Sequence, residues 1–173
     1  MITGKHIAET AVTSGLLGTP YKQMDCQAFV EKVLELSGLK IINYRGSNHM
    51  WRDLVYDRRS VRGNKVPAGT LVFIVKADGG EKKRGYNDDM QNATHVGIAL
   101  GDERVMESTT GGVQFGNLSR FTDFAFIKDV DYGEEKGNEG KRSTRDTLLN
   151  LISVLRDNLD TLEVTIRDLH GDT

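Results

Sequence analysis

Cys26, the single cysteine of this 173-residue sequence, is the residue best suited to covalent chemistry. A thiol attacks as its thiolate, so its surroundings decide its use. Cys26 follows Asp25, a candidate N-cap, and opens an amphipathic helix predicted over residues 26–37, behind a loop at 19–24. Unpaired backbone N–H groups and the positive end of the helix dipole favour a thiolate there. The same N–H groups can stabilise an oxyanion formed by attack on a carbonyl. The competing reading is a small buried hydrophobe, and position alone leaves both open. A lone cysteine does exclude an internal disulfide, a cysteine-based zinc finger and an iron–sulfur site.

A thiolate that cleaves an amide needs a neighbour able to protonate the leaving amine, and histidine titrates in the right range. Four are present: His6, His49, His95 and His170. His6 falls in a first predicted helix and His170 at the chain end, where both read as solvated surface residues. His49 lies in a loop, Gly46-Ser47-Asn48-His49-Met50-Trp51, and could line a groove. His95 is the most informative. In the stretch from Thr94 to Gly101, Val96, Ile98 and Leu100 occupy one face of a strand, and His95, Gly97 and Ala99 the other. The imidazole is therefore expected to project over small neighbours that leave space beside it.

These residues must be held by surrounding elements. A first helix is predicted over 3–17, with Ile7, Ala8, Ala11, Val12 and Leu16 on one face. The helix over 26–37 has a broad apolar face of Phe29, Val30, Val33, Leu34 and Leu36, with Gly38 just past its end. Residues 43–66 are polar and irregular, and read as a long loop or a short helix wrapped by loops, anchored by Trp51, Leu54 and Val55. From Pro67 the period changes to two, and strands are predicted at 70–75, 94–100, 104–108, 112–115 and 123–127. The almost wholly polar 76–93 reads as a loop or exposed hairpin. Helices followed by an antiparallel meander make an α+β layout.

The end of the chain reads as a separate unit. Residues 131–142 are charged and glycine-bearing, the composition of a linker. Beyond them Leu148, Ile152, Leu155, Leu159, Leu162, Ile166 and Leu169 recur at alternating spacings of 4 and 3. This heptad seam predicts a coiled-coil helix over 143–170 and self-association, with a helix folded back on its own domain as the alternative. The net charge of −2 lacks the basic excess of a nucleic-acid footprint. No apolar stretch is long enough to span a bilayer, and the first residues lack the apolar core of a signal peptide.

Three segments resemble a known family. Asp25-Cys26-Gln27-Ala28-Phe29-Val30 resembles the Asp-Cys-Ser-Gly-Phe-Val motif of NlpC-type cell-wall cysteine peptidases. Pro67-Ala68-Gly69-Thr70-Leu71-Val72-Phe73 is similar to that family's Pro-Gly-Asp-Leu-Val-Phe stretch. His95-Val96-Gly97-Ile98-Ala99-Leu100-Gly101 is similar to its His-Val-Gly-Ile-Tyr-Leu-Gly strand. Cysteine on a helix followed by histidine on a strand is the papain-like order, and the resemblance spans about residues 3–130.

The resemblance implies an α+β, papain-like hydrolase domain over residues 1–130, with the linker at 131–142 and the coiled coil at 143–170. It implies Cys26 as nucleophile and His95 as general base, with Glu107 at the position of the family's third polar residue, where a carboxylate would orient the imidazole. Tyr21 and Asp25 resemble the tyrosine and aspartate that flank the nucleophile and hold substrate or oxyanion. Gln27 and Ala28 depart from the family's Ser-Gly. The implied activity is cleavage of an amide bond in peptidoglycan stem peptides through a thioester, with no cofactor or metal. The expected setting is a phage or prophage protein, made in the cytoplasm without a signal peptide and acting at the bacterial wall as a lysin or tail component. Two other classes compete: an inactive structural tail or assembly protein, and an acyl or amide transferase using the same thioester chemistry.

Overall fold

The computed structural model describes residues 1–76, 86 and 88–133. The expected coiled coil, most of the linker and much of the polar 76–93 loop lie outside them. A compact unit spans Met1–Glu135.

Two helices open the chain. Helix α1 (Gly4–Thr13) begins at Thr3, whose side chain caps the His6 N–H, and it buries Ile7, Ala8 and Ala11. It is shorter than the predicted 3–17, because Gly15 and Gly18 adopt positive φ and turn the chain away. Helix α2 (Cys26–Leu36) follows the sequence expectation closely. Its Phe29, Val30, Val33 and Leu34 have no solvent exposure. Each side chain buried in this way contributes about 1.5–3 kcal/mol of hydrophobic stabilisation. Gly38, at positive φ, stands just past its end, as a C-terminal stop requires.

The polar 43–66 region holds a short helical turn (Ser47–His49), a π-helical turn (Met50–Leu54) and a strand that sequence reading leaves as loop, β1 (Val55–Ser60). Five further strands follow: β2 (Leu71–Lys76), β3 (Asn92–Ala99), β4 (Arg104–Thr109), β5 (Gly112–Asn117) and β6 (Asp123–Ile127). A 3₁₀ turn, Leu118–Arg120, joins β5 to β6. The sheet order is β1-β6-β2-β3-β4-β5, antiparallel throughout.

The expected meander therefore holds for β2 to β5, while β6 returns across to pair with both β2 and β1. Composition explains the crossing. Phe124, Ala125, Phe126 and Ile127 are at most 1% exposed, so both faces of β6 need cover and an edge position would not provide it. Strand β1 occupies the edge instead, carries a bulge between Tyr56 and Arg59, and has Asp57 at positive φ.

Candidate active site

The first turn of α2 presents Cys26, which is about nine-tenths buried. Asp25 makes the turn: its side chain accepts the Ala28 N–H at 2.8 Å, as an N-cap should. The preceding loop is tied to the sheet at three points. Gly18 N–H donates to Val113 O at 2.8 Å, and Val113 N–H donates to Thr19 O at 2.9 Å. The Ser108 hydroxyl donates to Met24 O at 2.5 Å. Gly112, at positive φ, allows the approach, since a Cβ there would lie 2.6 Å from Thr19 O. The loop that delivers the thiol is thus fastened to β4 and β5.

Strand β3 carries His95 and β4 carries Glu107. Gly97 pairs with Glu107 across the ladder, and His95 sits two residues along on the same face. His95 Nε2 lies 2.6 Å from Glu107 Oε2. The Glu107 side chain has no solvent exposure, against 15% for His95. Its second oxygen, Oε1, accepts a hydrogen bond from Arg120 Nη1 at 2.7 Å. A buried carboxylate is tolerated when its charge is paired and its oxygens are hydrogen-bonded, and here both oxygens have cationic partners.

Two glycines make room for it. A Cβ at Gly116 would fall 2.0 Å from Glu107 Oε1, and one at Gly97 would fall 2.8 Å from Val105 Cγ1 and 3.3 Å from Glu107 Cβ. The space that the small residues of β3 leave beside the imidazole is therefore filled from β4, partly by Glu107 itself. That differs from the open face expected from the alternation. The ring of Phe121 stacks on His95, with centroids 5.8 Å apart and planes inclined by 26°.

Burial alone would lower the His95 pKa. Hydrogen bonds to Cys26 and Glu107, and the charges of both, outweigh that and raise it to about 9. At neutral pH the imidazole is thus held as the cation between the thiol and the carboxylate. Tyr21 lies beside Cys26; its phenol is pushed up by burial first and then by the charges of Cys26 and Asp25. A cleft of about 260 Å³ opens beside these groups, lined among others by Tyr21, His95, Ser108, Thr109 and Arg120. A second cavity, about 660 Å³, lies by the turn after β1 and shares only Phe121 with the His95 surroundings. Its lining includes neither Tyr21 nor His95, whereas that of the smaller cleft includes both, so the candidate site belongs with the smaller cleft.

Tyr21, Asp25, Cys26, His95 and Glu107, the five residues singled out from the sequence, therefore gather in one place. Asp25 is engaged as the cap of α2. His49 stays apart, paired with Asp53 at 2.7 Å and accepting the Arg45 N–H, and His6 is exposed. Sequence reading missed Arg120, Phe121, Ser108 and Gly116. Ser108 was within reach, adjacent to Glu107 in the predicted strand. The departure at Gln27 has a local use: its side chain bonds Tyr44 O and Gly46 N–H, pinning the 44–46 segment to α2, a span a serine could not bridge.

The comparisons with known proteins agree with this architecture. The NlpC/P60 family matches residues 14–126, well over half of the chain. This protein belongs to the NlpC/P60 family, and its α+β fold is papain-like. Among solved structures it is similar to the NlpC/p60 domain of the peptidoglycan hydrolase SagA, at 26% identity and a TM-score of 0.50, over 72% of this chain and 97% of that one. It also matches an NLP/P60-family protein described as similar to a lipoprotein, from Staphylococcus aureus subsp. aureus Mu50, at 17% identity and a TM-score of 0.46, over 72% of this chain and 41% of that one. No curated protein sequence matches this chain. Among the described residues no helix is long and apolar enough to cross a membrane.

Proposed function

We propose that this protein is a cysteine hydrolase of the bacterial cell wall that cleaves an amide bond within peptidoglycan stem peptides. The observation that carries the reading is the line of polar groups from Cys26 through His95 to the buried Glu107. Membership of the NlpC/P60 family and likeness to a peptidoglycan hydrolase domain support peptidoglycan as the substrate.

With Nε2 of His95 committed to Glu107, Nδ1 is the nitrogen left to exchange a proton with Cys26. The Cys26 thiolate attacks the scissile carbonyl carbon, and the backbone N–H groups of Cys26 and Gln27 at the start of α2 face the developing oxyanion. The tetrahedral intermediate collapses as the C–N bond breaks. His95 gives its proton to the departing amine, and a thioester remains on Cys26. Water then attacks the thioester and passes a proton to His95. The C–S bond breaks, and a carboxylate leaves. Glu107 holds the ring in place and balances the imidazolium charge. Tyr21, beside Cys26 at the cleft, orients the bound carbonyl, and Asp25 shapes that side of the cleft as the α2 cap.

The hydrolase unit corresponds to residues 1–130. The linker at 131–142 and a self-associating coiled coil at 143–170 complete the proposal, and would gather several hydrolase units at one stretch of wall. Loss of turbidity of purified cell walls tests the activity: wild type clears them and Cys26→Ala does not. Failure of the folded wild type to release fragments would return the protein to the structural class. An acyl product formed only with an added amine acceptor would make it a transferase. Light scattering with and without residues 143–173 tests self-association, and the same number of subunits per particle in both would refute it.

A further inference from the structure

We infer that Arg120 is a positioning residue for this site, holding one oxygen of Glu107 so that the other is presented to His95. The kinetic side of this inference rests on the hydrolase reading above, whereas its geometric side can be tested without it.

Glu107 has two oxygens and two partners. Oε1 takes the Arg120 bond at 2.7 Å and Oε2 the His95 contact at 2.6 Å. A carboxylate held at one oxygen can still swing about its side-chain torsions, but held at both it cannot. The carboxylate is fully buried while Arg120 is half exposed, so solvent reaches the clamp and not the group it holds. Deleting Arg120 leaves a buried charge with one partner, a state relieved by rotation toward water or by protonation.

The clamp is itself rigidly mounted. Leu118 N–H donates to Glu103 O at 2.8 Å, and Phe121 N–H closes the turn onto Leu118 O at 3.0 Å. The Asn117 side chain caps the Ser119 N–H at 2.9 Å. The next residue, Phe121, stacks on His95. Two consecutive residues of one short turn thus fix the two ends of the His95–Glu107 contact: Arg120 takes the carboxylate and Phe121 the ring. Displacements of this pair by an ångström would be felt in the rate, because proton transfer depends steeply on geometry.

The groups that act on His95 are Cys26 from α2 and Glu107 from β4, with Tyr21 and Asp25 near the thiol. Arg120 reaches the imidazole through the carboxylate. Loss of its positive charge by itself would raise the His95 pKa, whereas loss of the Glu107 contact lowers it, so a downward shift on removal is the mark of the clamp.

The test combines wall hydrolysis with a side-chain NMR titration of His95 in the full chain, for wild type, Arg120→Ala, Arg120→Lys and Glu107→Gln. Arg120→Ala is expected to lower kcat by about 10- to 100-fold with KM little changed. It should move the His95 titration down by about a pH unit or more, and Arg120→Lys should restore part of both. The double variant Arg120→Ala/Glu107→Gln should lose no more than Glu107→Gln alone. An unmoved or raised titration in Arg120→Ala, or losses that simply add in the double variant, would overturn the inference. If Arg120→Ala does not fold, Arg120→Gln and Arg120→Lys carry the same readouts. A wild type with no wall hydrolysis would defeat the hydrolase reading, and the titration would still decide the clamp.

Discussion

His95 Nε2 stands 2.6 Å from Oε2 of Glu107, a carboxylate with no solvent exposure on the neighbouring strand. The contact joins the only histidine of β3 to a charge that could not stay buried unpaired, so each residue accounts for the other's place.

Replacing that charge with a neutral group of the same shape is the cleanest perturbation. Glu107→Gln keeps the volume and the bond to the ring but loses the charge that favours imidazolium. The alkaline limb of kcat/KM, set by loss of the His95 proton near pH 9, should move toward neutrality. The rate at neutral pH should fall by about 10- to 100-fold. A limb that stays near 9 would show that Glu107 does not hold the proton on the ring. The limb belongs to the thiol–imidazole pair and is read as one apparent value.

The same pKa makes a statement about stability. The folded-state value is raised from 6.5 to about 9, so the native state binds a proton more tightly than the unfolded chain. The stabilisation is fully present below pH 6.5 and is lost as pH rises through 9. Its size is on the order of 3 kcal/mol. Denaturant midpoints between pH 6 and 9.5 should fall for the wild type and flatten for His95→Ala. Parallel curves for the two proteins would contradict the assignment.

Gly116→Ala should damage the site from a distance. The backbone there is unstrained, so the effect is steric: the new Cβ would sit 2.0 Å from Glu107 Oε1 and 2.9 Å from its Cδ. Displacing the carboxylate should cost about 1–3 kcal/mol of stability and at least about tenfold in rate. Gly111→Ala is the comparison, since its Cβ would meet the flexible end of the Gln114 side chain at 3.2 Å and Thr109 Oγ1 at an ordinary 3.7 Å. Equal activity in the two variants would refute the crowding argument.

Ser108→Ala removes the bond that ties the loop before Cys26 to β4. The Met24 carbonyl loses its partner, which should cost about 1–3 kcal/mol in chemical denaturation. The thiol should also become easier to alkylate as its loop loosens. Unchanged stability would mean that the loop is held by its β5 contacts alone.

The parts of the site visible in the sequence are those whose local pattern and chemistry coincide. Asp25 before Cys26 marks a helix start and a candidate nucleophile at once, and the alternation around His95 puts it on a strand. Glu107 is visible as a strand carboxylate, although its burial depends on Gly97, Gly116 and Arg120, which are brought together by strand pairing alone. Arg120 lies 13 residues from Glu107 in a turn that carries no motif. Strand β1 is hidden for another reason. Its Arg58 and Arg59 read as solvent-facing, yet Arg58 donates to Trp51 O at 2.8 Å and Arg59 lies over the Phe126 ring at 5.1 Å. Long side chains that cover apolar rings while keeping their charge hydrogen-bonded defeat a hydropathy pattern. The return of β6 beside β2 is a long-range pairing, and only its unbroken apolar run hints at an interior place.

Digestion of purified peptidoglycan in ¹⁸O-labelled water, followed by mass spectrometry of the fragments, tests the central claim most directly. Hydrolysis of a Cys26 thioester predicts label in a newly formed carboxyl group of the stem peptide, a matching new amine, and neither product with Cys26→Ala. Label confined to the sugar ends of the glycan, or equal labelling by Cys26→Ala, would contradict it.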